Sequence, residues 1–173
     1  MSARNFAAKS WAFIRQKPIE SITLLLSIIS FVWLLFMNST IWTAASLRSL
    51  VEAEAAAAAK KDPVRAASLF TPDATIFEWQ TRSNWNGTAE IHERYNSLPT
   101  FKWLVHVNLD IEDIQLISGT ARAKSTTEGV MLDNGAQVLL SGDIWEFRKV
   151  HGVPFLPWTG EWRISSFTFD VPQ

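Results

Sequence analysis

The stretch FKWLVHVNLDIEDIQL, residues 101–116, decides the fold class of this chain. Apolar residues occupy every second position of its first part: Phe101, Trp103, Val105, Val107, Leu109 and Ile111. Polar residues alternate with them: Lys102, His106, Asn108, Asp110 and Glu112. Alternation with a period of two predicts a long strand that buries its apolar face and exposes the face that carries His106.

The apolar positions of this strand change parity near its end, where they continue at Ile114 and Leu116. A shift by one residue turns every following side chain to the opposite face of a sheet. We therefore expect a bulge or a sharp bend near Glu112 and Asp113, in a strongly curved sheet.

Two helices are predicted at the start of the domain. Residues 44–61 are rich in Ala and Glu and carry Leu47 and Val51 at helical spacing. Asp62-Pro63 ends that helix and begins a second one over residues 64–70. Asp can cap the free backbone amides of a helix, and Pro has the backbone angle that the first helical position requires.

Strand patterns dominate the rest of the domain, apart from a third helix over residues 89–98 with Thr88 as its cap. Further strands are predicted at residues 74–79, 121–132, 137–150 and 161–171, with a turn at 84–87. Helices followed by long antiparallel strands are an α+β order. The predicted fold is α+β, with three helices packed on a curved, mainly antiparallel sheet.

The N-terminal part of the chain predicts one transmembrane helix. No charged residue occurs from Ser21 to Leu47, and about 20 apolar residues suffice to cross a hydrocarbon layer of about 30 Å. We place the span at residues 19–43 and the domain at 44–173, with the helix running on into the domain. A buried helix of the domain is the alternative interpretation.

The charges that flank the span predict its orientation. Four basic residues and no acidic residue among them precede it: Arg4, Lys9, Arg15 and Lys17. Only Arg48 follows it closely, so residues 1–18 should stay in the cytoplasm and the domain should lie outside. This pattern favours a bacterial inner membrane with a periplasmic domain. The acid-free start is also typical of mitochondrial presequences, which makes the mitochondrial inner membrane the alternative.

The overall composition excludes several function classes. With 16 basic and 17 acidic residues the net charge is −1, so no general field attracts nucleic acid. The chain has no Cys, which excludes disulfides, thiol nucleophiles and Cys-based zinc sites. Its three His residues are scattered without metal-binding spacing, and no Gly-rich phosphate loop occurs. We expect no metal and no cofactor.

Several short segments carry a resemblance to a known superfamily. Besides Asp62 and Leu69-Phe70, they are TPDATIFEW at residues 71–79, WNGTAEIHERY at 85–95 and EWRISSF at 161–167. With the order of elements, they resemble the nuclear transport factor 2-like superfamily over residues 51–171. The resemblance implies a cone of helices and curved sheet around an open, largely apolar pocket. That superfamily includes steroid isomerases, polyketide cyclases, dehydratases, transport adaptors and secretion-system assembly proteins.

The ketosteroid isomerases within that superfamily imply candidate catalytic residues. Laid over DATIFEW, their general-base Asp falls on Glu78. Their Tyr on the first helix falls on Glu54, and their late-strand Asp falls on Trp145, or on Asp143 with a register shift of two. Ionised carboxylates cannot replace these O–H donors. The match therefore points away from ketosteroid isomerisation and toward another proton-transfer or hydration reaction.

The alternative for Glu78 is a solvated strand residue, or one paired with Arg82 or Arg94. Candidate ligand contacts are aromatic or lie on the third helix: Trp79, His92, Tyr95, Trp103 and Trp145. His92 and Tyr95 lie three residues apart and could face one another, whereas His106 and His151 are isolated. Most of the Trp residues are expected in the core.

Two functional interpretations follow. In the first, the domain is an interaction or assembly module of a membrane complex, with a protein partner or as a homodimer. In the second, it is a membrane-tethered protein that binds a small apolar ligand, or an isomerase or lyase that uses Glu78. Both keep the lipid bilayer as a partner.

Overall fold

The computed structural model describes residues 18–152 and 159–171, and these contain three helices and six strands. The helices are α1 (Pro18–Ala59), α2 (Pro63–Ser68) and α3 (Gly87–Ser97). The strands are β1 (Phe70–Glu78), β2 (Asn84–Asn86), β3 (Phe101–Gln115), β4 (Thr120–Met131), β5 (Gln137–Val150) and β6 (Glu161–Phe169). They form one sheet in the order β2-β1-β6-β5-β4-β3, in which only β1 and β6 run parallel. The predicted α+β class is confirmed.

The first part of α1 differs in character from the rest of the chain. The chain forms two compact units, one that ends at Asn38 and one that begins at Ser39. One helix in the described chain, over Ile22–Ala59, is long and apolar enough to span a membrane, and its most apolar stretch is not buried in the protein. That exposure argues against a core helix of the domain. The basic flank before residue 18 lies outside the described residues.

The second part of α1 forms one layer of the core. Leu47, Val51 and Ala58 are buried on one face at helical spacing, within the cluster that includes Phe147 and Ile164 of the sheet. A face of this kind gives a helix most of its stability through packing. The stripe predicted from Leu47 and Val51 is thus the face that contacts the core.

The helix boundaries agree in part with the sequence patterns. Asp62 caps α2, because its Oδ1 accepts a hydrogen bond of 3.0 Å from the Arg65 backbone amide. The cap predicted at Thr88 is wrong: α3 begins at Gly87 after Asn86, whose backbone amide donates to Glu90 at 2.7 Å. The predicted turn before it forms the short strand β2, which pairs with β1.

The strand that decides the fold class contains two register shifts more than the sequence predicted. The register of β3 against β4 shifts between Ile111 and Asp113, as expected, and also between Phe101 and Trp103 and between Val107 and Asp110. At the bulge between Val107 and Asp110, Asn108 has a φ of 54°, in the left-handed region that Asn tolerates better than most residues. This bulge at Asn108 exchanges the two faces of the first half of β3.

The predicted faces of that half are therefore wrong. Trp103 and Val105 are 42% and 41% exposed, whereas Leu104 packs against the core and the His106 side chain is only 2% exposed. After the bulge the parity is as predicted, and Leu109 is among the residues that pack on the core.

Candidate functional site

A cavity of about 210 Å³ lies between the helices and the sheet. Most of its lining is apolar, with Leu98, Leu104 and Phe167 among the contributors. Six lining residues are polar or ionisable: Glu54, Glu78, Arg94, Tyr95, His106 and Thr127. The volume is below the range of about 300–1,000 Å³ typical of sites for drug-sized ligands, so this cavity suits a smaller molecule.

Glu54 is an ionisable residue on the buried face of α1. It follows Val51 by three residues and precedes Ala58 by four, so it shares their face of the helix, and it is 2% exposed. A carboxylate in this position destabilises a fold unless it is paired and hydrogen-bonded. The hydrogen-bond partners of Glu54 therefore define the site.

Two side chains from different elements bind the Glu54 carboxylate. The Tyr95 hydroxyl, from α3, donates a hydrogen bond to Oε1. His106 Nε2, from β3, lies 2.6 Å from Oε2. The bulge at Asn108 places the imidazole on the inner face of the sheet, where it can reach α1.

The other ring nitrogen of His106 enters a second part of the network. Nδ1 lies 2.7 Å from Thr127 Oγ1, and the Thr127 hydroxyl donates to Asp143 Oδ2 at 2.5 Å. Because Thr127 has only one hydroxyl hydrogen, its oxygen must accept from His106, so we assign a proton to Nδ1. The Ser125 hydroxyl also donates to Asp143 Oδ2, at 3.1 Å.

Both carboxylates favour the charged imidazole. Burial opposes that charge, but the charge of Glu54, its hydrogen bond with Nε2 and the charge of Asp143 outweigh it and raise the pKa of His106 to about 9. Burial, and then the neighbouring Glu54, raise the pKa of Tyr95 well above its ordinary value. At neutral pH the site therefore contains an imidazolium between two carboxylates, and a phenol that keeps its proton.

Glu78, the predicted general base, lies on β1 at the cavity wall and is partly exposed. Its Oε2 accepts a hydrogen bond of 2.8 Å from the Thr81 hydroxyl. Within the described residues it forms no ion pair with either predicted partner. Arg82 stacks on Trp79 at 4.3 Å from the ring centroid, and Arg94 stacks on the ring of Trp85 at 4.8 Å.

The other predicted site residues fall into two groups. Glu54, Tyr95 and Asp143 come together around His106, and the buried Trp145 contacts the His106 ring edge-on, with 4.8 Å between centroids. Three others lie outside the cavity and are exposed: Trp79, His92 and Trp103. His92 does not face Tyr95, because Tyr95 points into the core.

Three functional candidates were missed by the sequence interpretation: His106, Thr127 and Arg94. His106 was placed on the exposed face of its strand because period two was continued through Asn108. An Asn within a strand pattern is a signal for a bulge, but a weak one. Within the described residues, no group of three or more His, Cys, Asp or Glu side chains is arranged to hold a metal ion.

Comparison with known proteins identifies the fold. No protein-family model matches the chain, and no curated protein sequence matches it. Solved structures do match. A nuclear transport factor 2-like superfamily protein from Salmonella enterica gives a TM-score of 0.57 at 20% identity, covering 78% of this chain and 94% of its own.

Two further similar structures have more specific descriptions. A hexachlorocyclohexane dehydrochlorinase from Novosphingobium barchaimii LL02 gives a TM-score of 0.56 at 16% identity, over 76% of this chain and 88% of its own. A ketosteroid isomerase-like protein from Erwinia carotovora atroseptica SCRI1043 gives a TM-score of 0.54 at 19% identity, over 72% of this chain and 92% of its own. The domain therefore has the nuclear transport factor 2-like, or cystatin-like, fold. Identities this low show the fold alone.

Proposed function

We propose that the domain is a membrane-anchored enzyme that transfers a proton to and from a small molecule, as an isomerase or a lyase. The observation that carries this proposal is the buried pair of Glu54 and His106 on the wall of an apolar cavity. Ionisable groups with strongly perturbed pKa values in a cavity are typical of catalytic sites.

In the proposed reaction Glu54 is the general base. Each carboxylate oxygen has two lone-pair sites, and one on each is occupied, by Tyr95 and by His106. A remaining lone pair takes a proton from a substrate carbon that lies next to an electron-withdrawing group. The electrons of the broken C–H bond form a new double bond, and either a carbonyl oxygen takes up the charge or a leaving group departs from the neighbouring carbon.

The positive charge of His106 stabilises the charge that develops. The imidazolium keeps its proton at neutral pH and lines the cavity, while its N–H groups donate to Glu54 and Thr127. A positive charge fixed in an apolar site stabilises a developing oxyanion more strongly than water does. In an isomerisation the proton returns to another carbon, and in an elimination it leaves with the departing group. Neither reaction requires an oxidant or a reductant.

Glu78 is the competing base within this proposal. It lines the same cavity, but it is more exposed than Glu54 and its described hydrogen bond comes from Thr81 rather than from the buried network. The dehydrochlorinase and the isomerase-like protein are both named for proton-transfer chemistry on this fold, which supports the reaction class but not the substrate.

The membrane part of the proposal concerns substrate supply. We place the span at residues 19–43, with the domain in the periplasm of a bacterium, or in the mitochondrial alternative outside the matrix. The exposed apolar surface of α1 from Ile22 onward supports an anchor. An anchored domain would meet a small substrate with an apolar part at the bilayer surface, where such molecules concentrate.

Hydrogen exchange at carbon tests the proposal without knowledge of the natural substrate. The full-length chain in lipid nanodiscs is incubated in D₂O with a panel of small ketones and enones, and loss of C–H signals is followed by ¹H NMR. We expect exchange that Glu54→Gln reduces about a hundredfold or more. The matched control is Glu93→Gln, an exposed residue of α3 outside the cavity, which should exchange at the wild-type rate.

Three further variants test the role of His106 and separate the two candidate bases. His106→Asn should reduce exchange, whereas His151→Asn, at an exposed position, should not. If Glu78→Gln abolishes exchange and Glu54→Gln does not, Glu78 is the base. Exchange at the buffer rate across the whole panel would contradict the enzymatic proposal.

The second candidate function is the interaction or assembly module. It is favoured by exposed apolar side chains in one row of the sheet, where Val105 pairs with Glu128 and Glu128 with Leu139, which is 70% exposed. Trp103 extends this patch along β3. Exposed apolar patches are typical of interfaces, here with a membrane-complex partner or with a second copy. Native mass spectrometry of wild type and Leu139→Lys tests it: loss of a dimer or of a stoichiometric partner in the variant supports this function.

A further inference from the structure

Arg94 is a largely buried cation on the cavity wall, and no acidic residue in the described part of the chain forms an ion pair with it. Its guanidinium stacks over the rings of Trp85, at 4.8 Å, and Phe169, at 5.4 Å, measured to the ring centroids. Its Nε is buried and has no hydrogen-bond partner, and within the described part of the chain Arg94 forms no ion pair.

A buried position without an ion-pair partner is unfavourable for a guanidinium. Burial lowers the pKa of Arg94, and the neighbouring Tyr95, Glu78 and Glu54 offset that effect only through longer-range charge. Aromatic stacking stabilises the flat face of a guanidinium, but it supplies no acceptor for the in-plane N–H donors, and the buried Nε has none in the described structure. A buried donor without an acceptor destabilises the fold by about 1–3 kcal/mol. An acceptor supplied by a ligand would remove that cost.

We propose that the cavity binds a short organic acid, whose carboxylate pairs with Arg94. A carboxylate matches the planar fork of Arg better than any neutral acceptor does. The proposal rests on the proton-transfer function proposed above and names the substrate class of the same site.

The size and lining of the cavity fit such a ligand. A volume of about 210 Å³ equals that of about seven water molecules at about 30 Å³ each, which suits a short acid rather than a steroid. Leu98, Leu104 and Phe167 would contact the hydrocarbon part of the acid. Its carboxylate would be held at one wall, and its reactive carbon would face the pair of Glu54 and His106.

The charges around the cavity limit the ligand to one carboxylate. Arg94 and the His106 imidazolium are positive, whereas Glu54 and Glu78 are negative. His106 is hydrogen-bonded to Glu54, which leaves Arg94 as the described cation available to an anion. A second carboxylate on the ligand would meet Glu78 or Glu54 and would be repelled.

Binding of a matched acid and amide tests this inference. Crotonate and crotonamide have nearly the same shape and differ in charge, and their binding to the full-length chain in nanodiscs is measured by saturation-transfer NMR. We expect crotonate to bind at least ten times more tightly than crotonamide. Arg94→Gln should weaken crotonate binding about tenfold or more and leave crotonamide unchanged. Arg65→Gln, at an exposed position on α2, is the control with wild-type binding.

The outcomes separate this inference from the enzymatic proposal. Glu54→Gln should still prefer crotonate to crotonamide even though it fails to exchange protons, because the carboxylate contacts Arg94. The wild-type preference requires no variant, so a folding defect in Arg94→Gln does not obscure the result. Arg94→Lys, which keeps the charge but loses the fork, should give an intermediate affinity. Equal affinity for the acid and the amide, or wild-type crotonate binding in both Arg94 variants, would overturn the inference.

Discussion

The protonation of His106 should contribute measurably to the stability of the domain. Its pKa rises from 6.5 to about 9 in the folded protein because Glu54 and Asp143 outweigh the opposing effect of burial. The difference between these values, at about 1.4 kcal/mol per pH unit, corresponds to about 3 kcal/mol. Because the pKa of the folded state is the higher one, this contribution is complete below about pH 6.5 and is lost as the pH rises through about 9.

The titration of His106 can be followed directly in the full-length protein. The chain contains three His residues, so selective ¹⁵N labelling of His gives few signals, and His92→Asn and His151→Asn assign them. We expect the His106 nitrogens to show the imidazolium signature through pH 8 and to titrate near pH 9. A titration at or below pH 6.5 would refute the description of the site as an imidazolium between two carboxylates.

Chemical unfolding provides the second measurement. The free energy of unfolding is compared at pH 6 and pH 10 for wild type and His106→Asn, since other groups also titrate in this range. Between pH 6 and pH 10 the free energy of unfolding of wild type should fall by about 3 kcal/mol more than that of the variant. Equal losses would show that His106 has the same pKa in the folded and unfolded states.

Four further outcomes are expected. Glu54→Gln should lower the pKa of His106, seen by the same NMR titration, and should destabilise the domain by about 3–5 kcal/mol in urea unfolding, since it leaves the remaining buried charges without their partner. Gly142→Ala should lower the free energy of unfolding by more than about 1 kcal/mol, because φ is +83° and the added Cβ would overlap a backbone carbonyl. Gly135→Ala, with φ +67° in open space, should lower it by less. Asn108→Val should be destabilising by about 1–3 kcal/mol and Asn108→Gly close to neutral, given a φ of 54°; equal effects would contradict the role of the bulge. Protease added to intact spheroplasts that express the chain should digest the domain, whereas protection until lysis would reverse the proposed orientation.

The parts of the fold that were predicted correctly depend on local physics. The period of two at residues 101–116 identifies a strand wherever that strand pairs, and the cap formed by Asp62 satisfies amides only three residues away. The position of the last bulge in β3, near Asp113, was predicted from the change in apolar parity. These signals depend on neighbouring residues along the chain, so the sequence contains them.

The site was predicted less completely because it depends on registers between distant elements. Glu54 and Asp143 were reached through a resemblance and Tyr95 through its spacing from His92, and the sequence did not show that they share a partner. His106 lies 52 residues from Glu54 along the chain and 21 from Thr127, and a single bulge decides whether it points toward them. Periodicity cannot predict that bulge, because the alternation of apolar and polar residues continues without a break through Asn108.

The composition of the site argues against a purely structural role. A buried ion pair rarely stabilises a fold more than apolar side chains of similar volume would, since desolvation offsets much of the attraction. Here Glu54, His106 and Asp143 are buried together, and Asp143 Oδ1 has no hydrogen-bond partner in the described structure. The rings of Trp145 and Phe167 stack beside them with 3.8 Å between centroids, which shows that the same sheet can pack apolar side chains tightly. Replacement of the three ionisable residues by apolar ones would therefore be expected to leave the fold as stable or more so. The position of Glu54 and His106 on the wall of a cavity is instead what a proton-transfer site requires: a base and a positive charge, shielded from water and able to contact a bound molecule.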